Sequence, residues 1–343
     1  MRIVLDAMGS DDCPGPEIQA AVEAARQFKD EIILVGPKDL LAPRLKDLSG
    51  EELSIRLVEA PDSITMMDKG LQLALKAKRR GSKTSMAVGM DLLKEGQAEV
   101  FLSAGNTGGV LATAFYRLGT IPGVERPAVT GIFPVKGGSC VVLDLGANPE
   151  CKPEWLLQFA YMGDVYAAKM RQASQPRVGL LSNGEEAGKG NELVKATFPL
   201  LENSGLNFIG NVESKEIYSG LVDVVVTDGF SGNIFLKTTE AVAKLVSDML
   251  RHELLESTRT KTGAWLAKPA FDRLKRRMDP GEIGAAPLLG IDGLVFKAHG
   301  RSDGRALFNA IRTARQAVET QLLVALHEAV DERLGNVDLQ EVA

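Results

Sequence analysis

Four runs in the chain place glycine, serine, asparagine or threonine directly after an apolar stretch and before a helical pattern: Asp6–Ser10, Ser103–Gly108, Asn183–Asn191 and Asp228–Asn233. A strand that ends in such a loop and opens into a helix aims backbone N–H groups and the positive end of the helix dipole at one point. Anions bind at such points. Any one of these loops is equally well read as plain turn and N-cap chemistry, but four in one chain point to a shared anion site. From them come Asp6, Gly9, Ser103, Asn106, Thr107, Glu185, Asn191 and Asp228 as candidates for substrate or phosphate contact. Neither GxxxxGK[ST] nor a strand-coupled GxGxxG occurs, so nucleoside triphosphates and dinucleotides lose their usual recognition element. Phosphate itself, or a phosphorylated tail, fits better.

The third loop, Asn183-Gly-Glu-Glu-Ala-Gly-Lys-Gly-Asn-Glu192, sets Lys189 between two glycines beside a helix start, where its ammonium could hold an oxyanion; a solvated surface lysine is the plainer alternative. In the fourth, Asn233 offers an amide donor, and Asp228 could orient a partner, accept a proton or simply cap the helix. His299, just before Gly300, could donate to phosphate. Cys13, Cys140 and Cys151 form no CxxC pair and the three histidines lie far apart, so no disulfide framework or metal site is expected. A cysteine nucleophile is a further possibility, though unactivated thiols are usually inert.

Apolar runs must position these loops. Short ones at Arg2–Asp6, Glu31–Gly36, Leu53–Glu59, Ala98–Ser103, Arg177–Leu181, Leu221–Thr227 and Gly293–Lys297 alternate with helical patterns. The helices are expected near 37–46, 69–95, 153–171, 191–202, for about 25 residues after Asp228, and from 302 to 334. Such alternation predicts an α/β protein of Rossmann-like α/β/α layers with a mostly parallel sheet. Val129–Pro134 and Ser139–Leu143 flank Lys136-Gly137-Gly138 and read as an antiparallel hairpin inserted into that order. With 343 residues, 45% of them apolar, the chain forms one catalytic unit over 1–343 or two closely joined lobes with a cleft between. A net charge of −5 argues against nucleic acid as a partner. No stretch approaches the roughly 18 apolar residues of a membrane span, and a cytoplasmic setting is expected.

One segment departs from the acidic average. Residues 259–278 carry Arg259, Lys261, Lys268, Arg273, Lys275, Arg276 and Arg277 against the single acid Asp272. On a helix, Leu266, Ala270, Leu274 and Met278 form a stripe, with Trp265 and Phe271 adjoining. The stripe could pack on its own domain or a dimer mate, the cations could dock an acidic partner protein, or the helix could lie on an anionic bilayer.

Taken together the motifs resemble the phosphate acyltransferases of bacterial phospholipid synthesis, the PlsX family. The matching runs include Leu5-Asp-Ala-Met-Gly9, Ser103-Ala-Gly-Asn-Thr-Gly108, Leu143-Asp-Leu-Gly-Ala-Asn148, Gly184-Glu-Glu186, Lys189-Gly-Asn-Glu192, Asp228-Gly-Phe230, Gly232-Asn233, Ala286-Pro-Leu-Leu-Gly290 and His299-Gly300, in family order along nearly the whole chain. Ser10, Ser182-Asn183 and Arg301 depart from the usual pattern. The resemblance implies a fold of the isopropylmalate dehydrogenase and phosphotransacetylase type. It also implies attack of inorganic phosphate on the thioester of acyl-acyl carrier protein, with no cofactor and no metal. Lys189 and Asn233 fall on residues that act at the carbonyl or phosphate, facing one another across a cleft, and Asn148 joins the substrate contacts. The resemblance further implies a homodimer and peripheral contact with an anionic membrane, near a membrane glycerol-phosphate acyltransferase that takes the product. Three rivals remain: a phosphotransacetylase-like enzyme using coenzyme A thioesters, a decarboxylating hydroxyacid dehydrogenase, whose aspartate cluster and cofactor motif are not found, and a non-enzymatic membrane-recruiting scaffold.

Overall fold

The computed structural model describes residues 1–49, 52–79 and 81–334. The chain begins with β1 (Arg2–Asp6), α1 (Gly15–Phe28), β2 (Glu31–Gly36), α2 (Lys38–Ser49), β3 (Ile55–Glu59), α3 (Gly70–Lys78), α4 (Ser85–Lys94), β4 (Val100–Ser103), α5 (Thr107–Arg117) and β5 (Ala128–Val129). It continues through β6 (Gly131–Val135), β7 (Gly138–Leu143), α6 (Pro153–Arg171), β8 (Val178–Leu181), α7 (Glu192–Glu202), β9 (Phe208–Val212), α8 (Ser214–Ser219), β10 (Val224–Val226), α9 (Gly229–Glu256), α10 (Thr258–Met278) and α11 (Pro280–Ile283). It ends with β11 (Ala285–Leu289), β12 (Val295–Ala298), α12 (Gly304–Glu319) and α13 (Leu322–Leu334).

The strands divide between two sheets, ordered β3-β2-β1-β4-β12-β11-β5 and β6-β7-β10-β8-β9. Ile3–Asp6 and Val224–Val226 are wholly buried, as continuous apolar runs in a sheet covered on both faces must be. The expected hairpin is present as β6 against β7, at the edge of the second sheet. A second antiparallel element, β11 between β12 and β5, is not anticipated in the Gly/Pro-rich stretch. The chain passes from the first sheet to the second at Thr130 and returns after Ile283, so each lobe is a separate α/β layer system. One apolar core runs through both: Ile3 and Leu34 of the first sheet and Val141 and Val178 of the second belong to the same cluster, bridged by α6, α12 and α13.

Two expected helices are interrupted. The pattern over 69–95 divides because Thr84 caps α4, its hydroxyl accepting from the Ala87 amide at 3.3 Å. The pattern over 302–334 divides at Gln321, whose φ of 54° lies in the left-handed region that no helix interior accommodates.

Candidate active site

In the first sheet β1, β2 and β3 progress to one edge, while the chain returns to the other side of β1 as β4. The carboxyl ends of β1 and β4 therefore form a topological switch point, where doubly wound sheets bind ligands. Asp6 and Ser103 stand there, both fully buried, the Ser103 hydroxyl donating to Asp6 Oδ2 at 2.7 Å. The Gly105 amide in turn donates to Ser103 Oγ (3.0 Å) and the Met8 amide to Asp6 Oδ1 (3.1 Å). Asp6 and Ser103 thus shape the two loops against each other rather than facing outward. Gly9 completes the junction: a Cβ at that position would come within 2.8 Å of the Gly105 nitrogen and 2.9 Å of the Ala104 nitrogen. Asn106 caps α5, accepting from the Gly109 amide (3.1 Å), while its own amide donates to the Asp68 carbonyl (3.1 Å). Thr107 is exposed to the cleft.

The second sheet's contribution is organised by Asp144, a buried residue whose role as a loop organiser is missed from sequence. Its carboxylate accepts from the amides of Val129 (2.9 Å), Gly146 (3.1 Å), Ala147 (3.0 Å) and Asn148 (2.7 Å). The Asn148 side chain donates to Asp144 Oδ2 and to the Pro127 carbonyl, so it too is committed to the loop. The Asn148 carbonyl then receives the Gly229 amide (2.8 Å) and fixes the start of α9. A Cβ at Gly232 would overlap the Asp144 carbonyl, so glycine is what lets α9 seat this closely. Asp228 caps α9, accepting from the Ser231 amide (2.8 Å), and Asn191 caps α7, accepting from Val194 (2.9 Å).

Asn233, on the second turn of α9, lies exposed in the cleft against Gly146. Lys189 is exposed on the loop after β8, whose residues Asn183, Gly190 and Asn191 line the same cleft. β8 and β10 are neighbours in one sheet, so Lys189 and Asn233 belong to the same lobe rather than facing one another from opposite sides, and Lys189, its side chain packed against Gly184, is not among the residues that line the cleft. Glu185 is turned to Lys215 (2.9 Å), whose ammonium also meets Glu213 and Glu216. That lysine fills the trio of carboxylates that could otherwise hold a metal ion.

The carboxyl edges of both sheets and the starts of α5, α7 and α9 meet in one cleft of about 1830 Å³. Across it from Asn233, the first lobe presents Lys297, His299 and Thr107. Lys297 ends β12, in register with Ser103, and is invisible from sequence because only strand order brings it to the switch point. Burial lowers its ammonium to about 8, opposed by Asp11 and Asp6. Burial raises the Asp6 carboxyl, against the Ser103 hydroxyl, and lowers the His299 imidazole, with Lys297 adding to the latter shift. His299 Nδ1 accepts from the Arg301 amide (3.2 Å), leaving Nε2 as the ring's N–H donor toward the cleft. The thiols are poor nucleophiles: burial pushes Cys13 up to about 11 and Cys151 to about 12, and the Cys151 thiol donates to the Asn148 carbonyl.

The basic segment is α10, paired with α9. Ala264, Ala267 and Phe271 are its half-buried side. Trp265, Leu266 and Leu274 stand 73%, 69% and 50% exposed, so these residues of the predicted stripe are uncovered by the described chain, while the Met278 side chain lies outside the described residues. Lys268, Arg273 and Arg276 are exposed, while the side chains of Lys275 and Arg277 lie outside the described residues. Among the described residues no helix is long and apolar enough to cross a membrane.

Solved structures with this fold include a phosphotransacetylase from Streptococcus pyogenes, 19% identical, covering 93% of this chain and 94% of its own, at a TM-score of 0.59. A branched-chain phosphotransacylase from Enterococcus faecalis matches at 14% identity over 93% of this chain and all of its own, with a TM-score of 0.52. In sequence the likeness is much nearer. A phosphate acyltransferase of Acidobacterium capsulatum is 47% identical over 92% of both chains, and one of Elusimicrobium minutum 43% identical over 97% and 96%. The family model described as fatty acid synthesis protein matches residues 1–325. With this family match and these identities over nearly its whole length, the chain belongs to the phosphate acyltransferase family, the PlsX family that its motifs resemble.

Proposed function

We propose that the chain transfers a fatty acyl group from acyl-acyl carrier protein to inorganic phosphate, giving acyl phosphate for phospholipid synthesis. The observation that carries this reading is the single cleft in which glycine-rich loops, three helix starts and cleft-facing amide and ammonium groups converge. Phosphate is itself a nucleophile at neutral pH, so the protein must position it and stabilise the oxyanion that develops on the thioester carbonyl. Asn233 supplies an amide donor in the cleft and Lys189 a cation on the loop beside it. Asp228 caps the helix that carries Asn233, Asn191 caps α7 directly after the loop that carries Lys189, and His299 is a neutral donor on the other wall. The raised cysteine thiols favour direct attack by phosphate over an acyl-cysteine intermediate. Purified protein should release carrier thiol from acyl-acyl carrier protein only when phosphate is present, and more slowly from the matched acyl-coenzyme A. Equal or faster turnover of the coenzyme A thioester would favour the phosphotransacetylase-like alternative, and phosphate-independent release would overturn the reading.

The exposed stripe of α10 supports contact with a partner or lipid surface. In this reading Trp265, Leu266 and Leu274 enter the outer layer of an anionic bilayer while Lys268, Arg273 and Arg276 meet its headgroups. The α9–α10 pair also joins two copies of the chain, and the same cations attract the acidic carrier protein. Wild-type protein should float with vesicles containing anionic lipid and not with neutral ones, and Trp265→Glu or Leu266→Glu should abolish flotation. Unchanged flotation of both variants would remove the membrane role.

A further inference from the structure

Two lysines line the cleft from opposite lobes. Lys297 comes from the end of β12 in the first lobe, and Lys237 from α9, one turn beyond Asn233, in the second; both line the cleft. They are near enough that Lys237 adds to the lowering of Lys297, and both lower His299, which lies beside them. Two like charges that face one cleft repel each other, and an anion between them relieves that repulsion.

The surroundings of Lys297 are suited to that anion. Ser103, its register partner, begins the loop to α5, and Asn106 takes only the Gly109 amide with its side chain and the Val110 amide with its carbonyl. The Thr107 and Gly108 amides at the start of this helix are taken by no described group. Of the two carboxylates that oppose the lowering of Lys297, Asp6 is held by the Ser103 hydroxyl and the Met8 amide while Asp11 lies exposed in the cleft, and the Lys297 ammonium itself donates to the Ala298 carbonyl. Lys237 pairs only with Glu240, at 2.9 Å on the exposed surface of α9, a contact worth little and readily exchanged for a dianion.

We propose that Lys297 and Lys237, one from each lobe, clamp the phosphate that attacks the acyl donor, with the Thr107 and Gly108 amides completing its cradle. This rests on the acyl-to-phosphate reading and divides the labour within it. Asn233, with Lys189 on the neighbouring loop, serves the thioester carbonyl from the second lobe, and the two cleft lysines hold the nucleophile between the walls. A phosphate oxygen forms the new bond to the carbonyl carbon and the carbon–sulfur bond breaks. The proton of hydrogen phosphate ends on the departing carrier sulfur, so acyl phosphate and free thiol balance the reactants. The clamp also makes phosphate binding depend on how close the lobes stand, since neither lobe carries both cations.

The test is steady-state thiol release by the full chain with phosphate varied, for wild type, Lys297→Met, Lys297→Arg and Lys237→Met. Loss of a charge-assisted contact should raise the KM for phosphate about tenfold or more in each methionine variant, with the KM for acyl carrier protein nearly unchanged. Lys297→Arg, which keeps the cation, should restore much of the loss. An unchanged phosphate KM in Lys237→Met, an exposed site where folding is not at risk, overturns the clamp. So does an unchanged value in a folded Lys297→Met. Phosphate binding measured without acyl donor separates the two readings. Wild type that binds phosphate and loses it on Lys237→Met, yet releases no thiol, keeps the clamp and discards the acyl-transfer reading.

Discussion

Asn233→Ala should lower kcat for phosphate-dependent thiol release by about 10²–10³-fold, the usual loss on removing one oxyanion donor, equivalent to about 3 kcal/mol in the barrier. The side chain is exposed in the cleft, so its truncation leaves no cavity and no buried orphan, and the melting temperature should stay near that of wild type. The loss should fall on kcat more than on the KM for either substrate, because the donor matters most when charge has developed on the carbonyl oxygen. Asn233→Asp provides the control. It keeps the shape but sets a carboxylate where the oxyanion forms, and should be at least as impaired. Lys189→Ala should lose less, since an exposed ammonium is screened by solvent and by salt, and its defect should grow as ionic strength falls. A kcat within threefold of wild type in Asn233→Ala would remove the residue from the chemistry and leave the α5 side of the cleft as the seat of the oxyanion.

The loops around Asn233 were legible because a strand's apolar run followed by Gly, Ser, Asn or Asp is a local pattern, and all four such runs lie at strand ends beside the cleft or its supporting junction. The roles of single residues within them were not. Asn106, Asn191 and Asp228 have the side chains that bind anionic substrates and also those that cap helices, and the structure commits each to capping. Lys297 escaped notice for a different reason. Its neighbours Ser103 and Asp6 lie far away along the chain, and only the strand order β1-β4-β12 brings them together. The parallel strands and most helices follow from periodicity, whereas β9 and β11 do not, since Gly210, Asn211 and Pro287 are poor strand residues taken up because neighbouring strands supply the pairing. The break at Gln321 interrupts a helical pattern whose apolar spacing continues across it, so periodicity alone cannot show where that helix ends, whereas the break before α4 falls in the run 78–85, which holds no apolar residue.

Asp144→Ala should have the largest effect on stability of any single substitution considered, although Asp144 lines no part of the cleft. Its buried carboxylate is the acceptor for four backbone amides, and removing it takes that acceptor from all four, in a loop that is itself only partly covered. Partly covered amides can turn to water, so each costs nearer the low end of the about 1–3 kcal/mol for an unsatisfied donor, and the four together still take a sizeable share of the roughly 5–15 kcal/mol by which most domains are stable. The variant should therefore melt about 5 °C or more below wild type. One of the four amides, Val129, belongs to β5 of the first sheet, and the loop carbonyl at Asn148 anchors α9. The same carboxylate thus ties the crossover between lobes to the helix that presents Asn233. Asp144→Asn tests this link separately from collapse. It retains an oxygen for the Val129, Gly146 and Ala147 amides but turns a donor toward the Asn148 amide, which loosens the start of α9 specifically. This variant should fold with a smaller drop in melting temperature, yet lose turnover out of proportion to that drop, because Asn233 no longer stands where the oxyanion forms. Thermal melts paired with thiol-release rates decide the matter. An alanine variant that melts within about 2 °C of wild type, or an asparagine variant with full turnover, would show that the loop holds α9 without Asp144.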